Sequence, residues 1–225
     1  DNSFTLNTFK SKKAGRPSDV LAVGIKHSYF SLRQEPQKTA FSNLFLTGEF
    51  GITPSDRFAL TADAALGLLK NIGEYQLHGN LVLGLGKAGV LKASILSQRY
   101  PVPLLADRLY ISKRLFWNNS FEKPVENTLT GSYALPLIGF EATVRTHLLN
   151  NYIYYDQKSV VAQAGSPLQV AQILVSENVR LGKIHFDNTV ALQRFNRSDI
   201  IHLPKWFSKN SLYFSGKIFK KRMLL

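Results

Sequence analysis

Six residues, Gly84-Leu85-Gly86-Lys87-Ala88-Gly89, match the spacing of a dinucleotide-binding loop. Such a loop works only where a helix begins directly behind it, because the unpaired N–H groups of the first helical turn hold the pyrophosphate. Here Val90-Leu91-Lys92-Ala93-Ser94-Ile95 follows and alternates like a strand, so the glycines are read as a hairpin turn and no cofactor is expected. The histidines His27, His78, His147, His185 and His202 fall one to a segment, with no His-x-x-x-His or Glu-x-x-His spacing. They read as polar-face residues, and no metal site is expected. Serine, histidine and aspartate are all present, but no serine stands in the strand, elbow and helix context of a hydrolase nucleophile. Cysteine is absent, which excludes disulfides, thiol nucleophiles, zinc knuckles and iron–sulfur clusters. No catalytic residue is expected and the chain is not read as an enzyme.

The remaining chemistry is charge. With 28 basic and 15 acidic residues the 225-residue chain carries a formal net charge of +13. Basic runs stand at Lys10, Lys12, Lys13 and Arg16 and at Lys220-Lys221-Arg222. Nucleic-acid modules gather such bases on one compact face with stacking aromatics, whereas here they are spread among segments and ends, so no nucleic-acid partner is expected. Asn118-Asn119-Ser120 and Asn196-Arg197-Ser198 fit a glycosylation pattern but read more simply as turn residues.

The elements that position these residues are strands. Apolar residues recur at every second position, not every third and fourth, which is the strand period. In 75–85 one parity carries Tyr75, Leu77, Leu81, Leu83 and Leu85 against Gln76, His78 and Asn80. Segments 57–69, 125–135, 138–148, 184–193 and 212–218 repeat the pattern, and 21–32, 40–52, 90–98, 106–117 and 168–181 follow it less cleanly. Between them lie turn residues such as Thr53-Pro54-Ser55-Asp56, Asn71-Ile72-Gly73 and Gly165-Ser166-Pro167. The expected fold is all-β, an antiparallel up-and-down meander of about eleven or twelve long strands forming all or part of a transmembrane β-barrel. Residues 1–19 read as a basic N-terminal arm or loop and 20–225 as the barrel.

Alternation reads the same in a soluble sandwich with an apolar interior and in a membrane barrel with an apolar exterior. Three features favour the barrel. The strands are long enough to cross a bilayer at a tilt, about nine to eleven residues. The polar parity mixes Thr, Ser, Asn, Gln and His with charges of both signs, as a wet lumen would. Aromatics gather at strand ends, where amphipathic rings prefer the headgroup level. The interfacial candidates are Tyr100, Tyr110, Trp117, Tyr152, Tyr154 and Trp206, and the lumen candidates are Arg57, Asp63, His78, Lys92, Arg108, Arg114, Glu126, Glu141, Arg145, Lys183, Asp187 and Lys217. Basic residues outnumber acidic ones in that set, so a preference for anionic solutes is expected.

Phe116-Trp117-Asn118-Asn119-Ser120-Phe121, Asn150-Asn151-Tyr152-Ile153-Tyr154-Tyr155-Asp156 with the following Gln163, the run 183–193, and Ile200-Ile201-His202-Leu203-Pro204-Lys205-Trp206 occur in this order over about half the chain. In these stretches the sequence resembles the putative porin family of Bacteroidota, outer-membrane β-barrels. The first hundred residues fit by strand pattern alone. The resemblance implies a bacterial outer-membrane location, outer-membrane lipid as surroundings, and passive diffusion of small hydrophilic solutes through a pore; it carries over no catalytic residue. The end Phe219-Lys220-Lys221-Arg222-Met223-Leu224-Leu225 lacks a terminal aromatic strand, so the chain is expected to be part of a barrel. The alternatives are a non-conducting outer-membrane scaffold that binds lipid or a partner, and a soluble β-rich binding protein. The pattern carries no signal for oligomeric state.

Overall fold

The computed structural model describes residues 1–10, 19–34 and 37–215, with the backbone of 217–218 and 223–224. In chain order the strands are β1 (Asn2–Lys10), β2 (Asp19–Gln34), β3 (Gln37–Ser55), β4 (Phe58–Leu68), β5 (Tyr75–Gly84) and β6 (Val90–Arg99). They continue with β7 (Arg108–Ile111), β8 (Arg114–Asn118), β9 (Val125–Leu135), β10 (Phe140–Asn150), β11 (Ile153–Tyr155) and β12 (Val161–Gln163). The last are β13 (Leu168–Leu181), β14 (Ile184–Phe195), β15 (Trp206–Phe214), β16 (Lys217–Ile218) and β17 (Met223–Leu224). Eleven of them form one antiparallel sheet in the order β1-β2-β3-β4-β5-β6-β9-β10-β13-β14-β15, so every main-sheet neighbour is also the next long strand in sequence. The all-β meander is therefore present, and the sheet is not closed into a barrel among the described residues: β1 pairs with β2 alone and β15 with β14 alone. The pairs β7–β8, β11–β12 and β16–β17 are separate hairpins.

Register keeps the two faces apart across the whole sheet. Leu21 pairs with Phe50, Leu46 with Leu66, Leu81 with Leu60, Ile95 with Leu129 and Val144 with Ile173, so one face is apolar from strand to strand. A one-residue slip in any pair would carry a row of leucines to the other side, which is why the alternation specifies the register. No second layer covers the apolar face among the described residues, and Phe4, Leu21, Ile95, Leu129, Val144 and Leu192 on it are all exposed.

Turn chemistry closes the meander. Pro136–Ile138 makes a 3₁₀ turn ending at Gly139, whose φ of 66° is left-handed. A Cβ at Gly139 would collide with the Asn178 carbonyl oxygen, so glycine is required there both for its φ and for the close approach of β13. This turn takes Ile138 out of the strand expected at 138–148, which begins at Phe140 instead. The glycine-rich segment 84–89 is the β5–β6 connection, with a 3₁₀ turn at Gly86–Ala88.

Three expectations need correction. Asn2–Lys10, read as part of an arm, is a strand paired along its length with β2; its outward residues Phe4 and Leu6 sit opposite Ile25 and Val23. Residues 106–117 are not one strand of the meander: a short helix, α1 (Leu104–Asp107), and the β7–β8 hairpin replace it. Ser112 and Lys113 at the tip both have positive φ, 48° and 68°, the geometry of a tight two-residue hairpin turn. The last long strand is Trp206–Phe214 rather than 212–218. No helix among the described residues is long and apolar enough to cross a membrane.

Candidate lumen face and its inward loop

Opposite the apolar face, the same register lines polar side chains into rows. One row runs Thr61, Asn80, Ser94, Thr130, Arg145, Gln172, Gln193 through β4, β5, β6, β9, β10, β13 and β14 without an apolar residue. Its members bond along the row: Arg145 Nε donates to Thr130 Oγ1 at 3.2 Å and Gln172 Nε2 to Gln193 Oε1 at 2.5 Å. The adjacent row holds Glu49, Asp63, His78, Leu96, Thr128 and His147. Within it His78 Nδ1 lies 3.0 Å from Asp63 Oδ1, and His147 Nδ1 lies 2.8 Å from Thr128 Oγ1. Cross-strand hydrogen bonding of this kind satisfies polar groups on a face that cannot rely on an apolar core.

The connections differ between the two ends of the sheet. At one end the described connections are short, at 56–57, 85–89, 136–139 and 182–183. At the other they include the long segments 100–124, 151–167 and 196–205, which bond to one another. Gln163 Nε2 donates to the carbonyls of Glu122 and Asn151 at 2.8 and 3.0 Å, and Lys123 Nζ reaches the buried Glu74 carboxylate at 2.9 Å. Residues 196–205 fold back over the polar face. Asn196 accepts from the Gln169 N–H at 2.9 Å and donates to the Pro167 carbonyl at 3.0 Å, while Gln193 Nε2 donates to the Pro204 carbonyl at 2.9 Å. Between these anchors Ile200 is buried with Ala164 and Leu168, and Leu149, Tyr152, Tyr154 and Ile201 pack around them. Leu149 and Leu168 are apolar residues on the polar parity, paired with each other across β10 and β13. Ile200 covers them. Arg197 bonds both oxygens of Asp199 at 2.9 and 2.6 Å and Ser166 Oγ at 2.7 Å. The hydrogen bond from Arg197 holds the Asp199 carboxyl below its ordinary pKa and raises that of the guanidinium.

Beside this loop the polar face has a cavity of about 480 Å³ lined by Tyr100, Glu126, His147, Tyr152, Gln172 and His202 among others. Gln98 Nε2 donates to one Glu126 oxygen at 2.8 Å and Thr128 Oγ1 to the other at 3.2 Å. In the tautomer in which the Thr128 hydroxyl proton goes to Glu126, Thr128 accepts from His147 Nδ1–H and His147 Nε2 is an acceptor. Desolvation, then the Glu126 and Tyr152 neighbours, push the Tyr100 phenol above its ordinary pKa.

Of the lumen candidates, Asp63, His78, Lys92, Glu126, Glu141, Arg145 and Asp187 stand on the polar face, with Asn178 Nδ2 donating to Asp187. The others do not. Arg57 is in the β3–β4 turn, and Lys183 is in the β13–β14 turn with its Nζ 5.8 Å from the Phe214 ring centre. Arg108 and Arg114 belong to the β7–β8 hairpin, where Arg114 lies over Phe116 at 5.9 Å. The side chain of Lys217 lies outside the described residues. Alternation alone places these residues on the face because it does not show where a strand gives way to its turn.

Among the aromatics, Trp206 begins β15 on the apolar parity, is exposed, and pairs with Leu192. Tyr110 and Trp117 are in the hairpin, where Trp117 Nε1 donates to the Leu105 carbonyl at 2.8 Å. Tyr100 and Tyr152 line the polar-face cavity and Tyr154 packs on the Ile200 cluster, so these three face inward, held by the loops that carry them. The inward fold of 196–205 had no signal in strand alternation; the one available cue was the apolar pair Ile200-Ile201 between turn residues. Among the described residues no three His, Asp or Glu side chains converge as metal ligands.

A family model described as "Putative porin" matches residues 1–225 and so includes the first hundred residues. No curated protein and no solved structure matches the chain. An antiparallel meander with one bare apolar face, one hydrogen-bonded polar face and a full-length family match makes this chain a member of the putative porin family.

Proposed function

We propose that the chain forms the wall of a bacterial outer-membrane pore, as the resemblance to Bacteroidota porins suggests, and passes small hydrophilic solutes by passive diffusion without chemistry. One observation carries this reading: a single-layer sheet of eleven strands leaves its apolar face uncovered and concentrates its polar hydrogen bonds on the other. In water, contiguous apolar patches larger than about 300–600 Å² are rare on a monomer. Lipid removes the problem, because the apolar face then contacts hydrocarbon and the polar rows contact a wet lumen. A soluble sandwich would require a second sheet on the face that carries Leu129 and Ile95. By the usual asymmetry of such barrels, the short turns lie on the periplasmic side and the long connections on the outside.

The anion preference expected from the sequence rested on the basic majority of the twelve lumen candidates, of which Arg57, Arg108, Arg114 and Lys183 occupy turns and the hairpin. On the polar parity of the strands, Lys26, Lys92, Arg145, Arg180 and Lys209 stand against Glu49, Asp63, Glu126, Glu141 and Asp187. Any bias toward anions therefore arises at the mouths, where long connections carry Arg108, Arg114, Lys123 and Lys158, and is screened within about 8–10 Å at physiological salt. Full-length chain folded in detergent and added to a planar bilayer should give discrete conductance steps with weak ion selectivity. A folded, bilayer-inserted protein that never conducts would support the non-conducting scaffold instead.

A further inference from the structure

The cavity under the 196–205 connection has a composition that the pore reading leaves unused. Two tyrosines, Tyr100 and Tyr152, stand beside Glu126, His147 and Gln172, and no lysine or arginine lines it. The polar groups are already ordered. Glu126 is held by Gln98 and Thr128, His147 by Thr128, and Gln172 by Gln193, which leaves the His147 Nε2 lone pair, the Gln172 carbonyl oxygen and the outer lone pairs of Glu126 as acceptors. The two phenol groups have no hydrogen-bond partner among the described residues. At about 480 Å³ the space falls in the range of small-molecule sites, roughly 300–1,000 Å³.

We propose that this cavity is a subsite for a neutral saccharide, holding a sugar ring between the tyrosine pair and the Glu126–His147–Gln172 acceptors. The chemistry on each side matches. A pyranose presents C–H groups on its faces, which pack on aromatic rings, and hydroxyl donors around its edge, which need fixed acceptors. A sugar carrying a carboxylate or phosphate is disfavoured at neutral pH, because Glu126 would repel it and the described lining, with His147 and His202, holds no lysine or arginine to compensate. The site rests on the pore reading in one respect: a sugar reaches it along the lumen.

The test is titration calorimetry of the full chain folded in detergent, with glucose, maltotriose and glucuronate as probes, alongside bilayer conductance of the same preparation. Glucose or maltotriose should bind and glucuronate should bind at least about tenfold more weakly. Tyr152→Ala and Gln172→Ala should each lose about tenfold in affinity, while Tyr152→Phe stays within about threefold, since the ring is kept and one hydrogen bond is lost. Heat-modifiable gel migration identifies the variants that have folded, and Tyr152→Phe and Gln172→Ala serve if Tyr152→Ala does not. No heat with any sugar, equal affinity for glucuronate, or unchanged affinity in a folded alanine variant would overturn the subsite. Conduction without sugar binding defeats the subsite and leaves the pore; sugar binding without conduction defeats the pore and leaves the subsite.

Discussion

Ile200, on the connection between β14 and β15, packs against Leu168 on the polar face of β13, and Leu168 has no solvent-exposed surface. This contact holds the β14–β15 connection against the polar face of the sheet rather than clear of it. Leu149 and Leu168 are an apolar pair on the polar parity of β10 and β13, and Ile200 takes their surface away from water.

Removing the contact should open the mouth. Ile200→Asp places a charge against Leu168 and releases the loop, whereas Ile200→Ala leaves a cavity costing about 2 kcal/mol, the low end for a partly enclosed isoleucine. Single-channel recordings should show larger and noisier steps for Ile200→Asp than for the parent chain, and an intermediate effect for Ile200→Ala.

Leu129 and Thr130 are neighbours in β9 on opposite faces. Leu129→Arg puts a charge into hydrocarbon and should destabilise the folded chain in lipid by about 2–4 kcal/mol, while Thr130→Arg extends into water and should cost little. Urea-induced unfolding in lipid vesicles checks the pair. Equal costs would mean that both faces meet the same medium.

Asp199 predicts a pH response. Its folded pKa is depressed, with the Arg197 hydrogen bond as the main cause. Its stabilisation of the loop is therefore present above the ordinary carboxylate value and is lost as pH falls through the lower, folded value. The loop should stay pinned from neutral pH down through the usual carboxylate range and release only in stronger acid. Protease cleavage within 197–203, followed against pH, should rise only there, and Asp199→Asn should lack that acid-dependent rise.

Much of the wall is legible in the sequence because a strand's two faces depend only on residues two apart. Tyr75–Gly84, with Leu77, Leu81 and Leu83 against Gln76, His78 and Asn80, needs nothing else to be read. Asn2–Lys10 was harder, since Phe4 and Leu6 alone carry its pattern on the outward side. The β7–β8 hairpin hid behind a Ser112-Lys113 turn, where Asn-Gly is the usual signal. The polar rows could not be seen at all. Thr130 stands beside Arg145 because of pairing register, which comes into being only when strands meet. Tyr100 and Tyr152 face inward for a similar reason: the connections that carry them are set by long-range bonds such as Gln163 to Glu122 and Asn151.

The central claim is that the face carrying Ser94 and Thr130 lines water and the face carrying Ile95 and Leu129 lines lipid. The chain has no cysteine, so single cysteines can be placed at these four positions without background. In lipid vesicles, a charged, membrane-impermeant thiol reagent should label Ser94→Cys and Thr130→Cys rapidly and leave Ile95→Cys and Leu129→Cys unmodified until detergent is added. Labelling of all four at similar rates, or of the Ile95 and Leu129 positions first, would contradict the account.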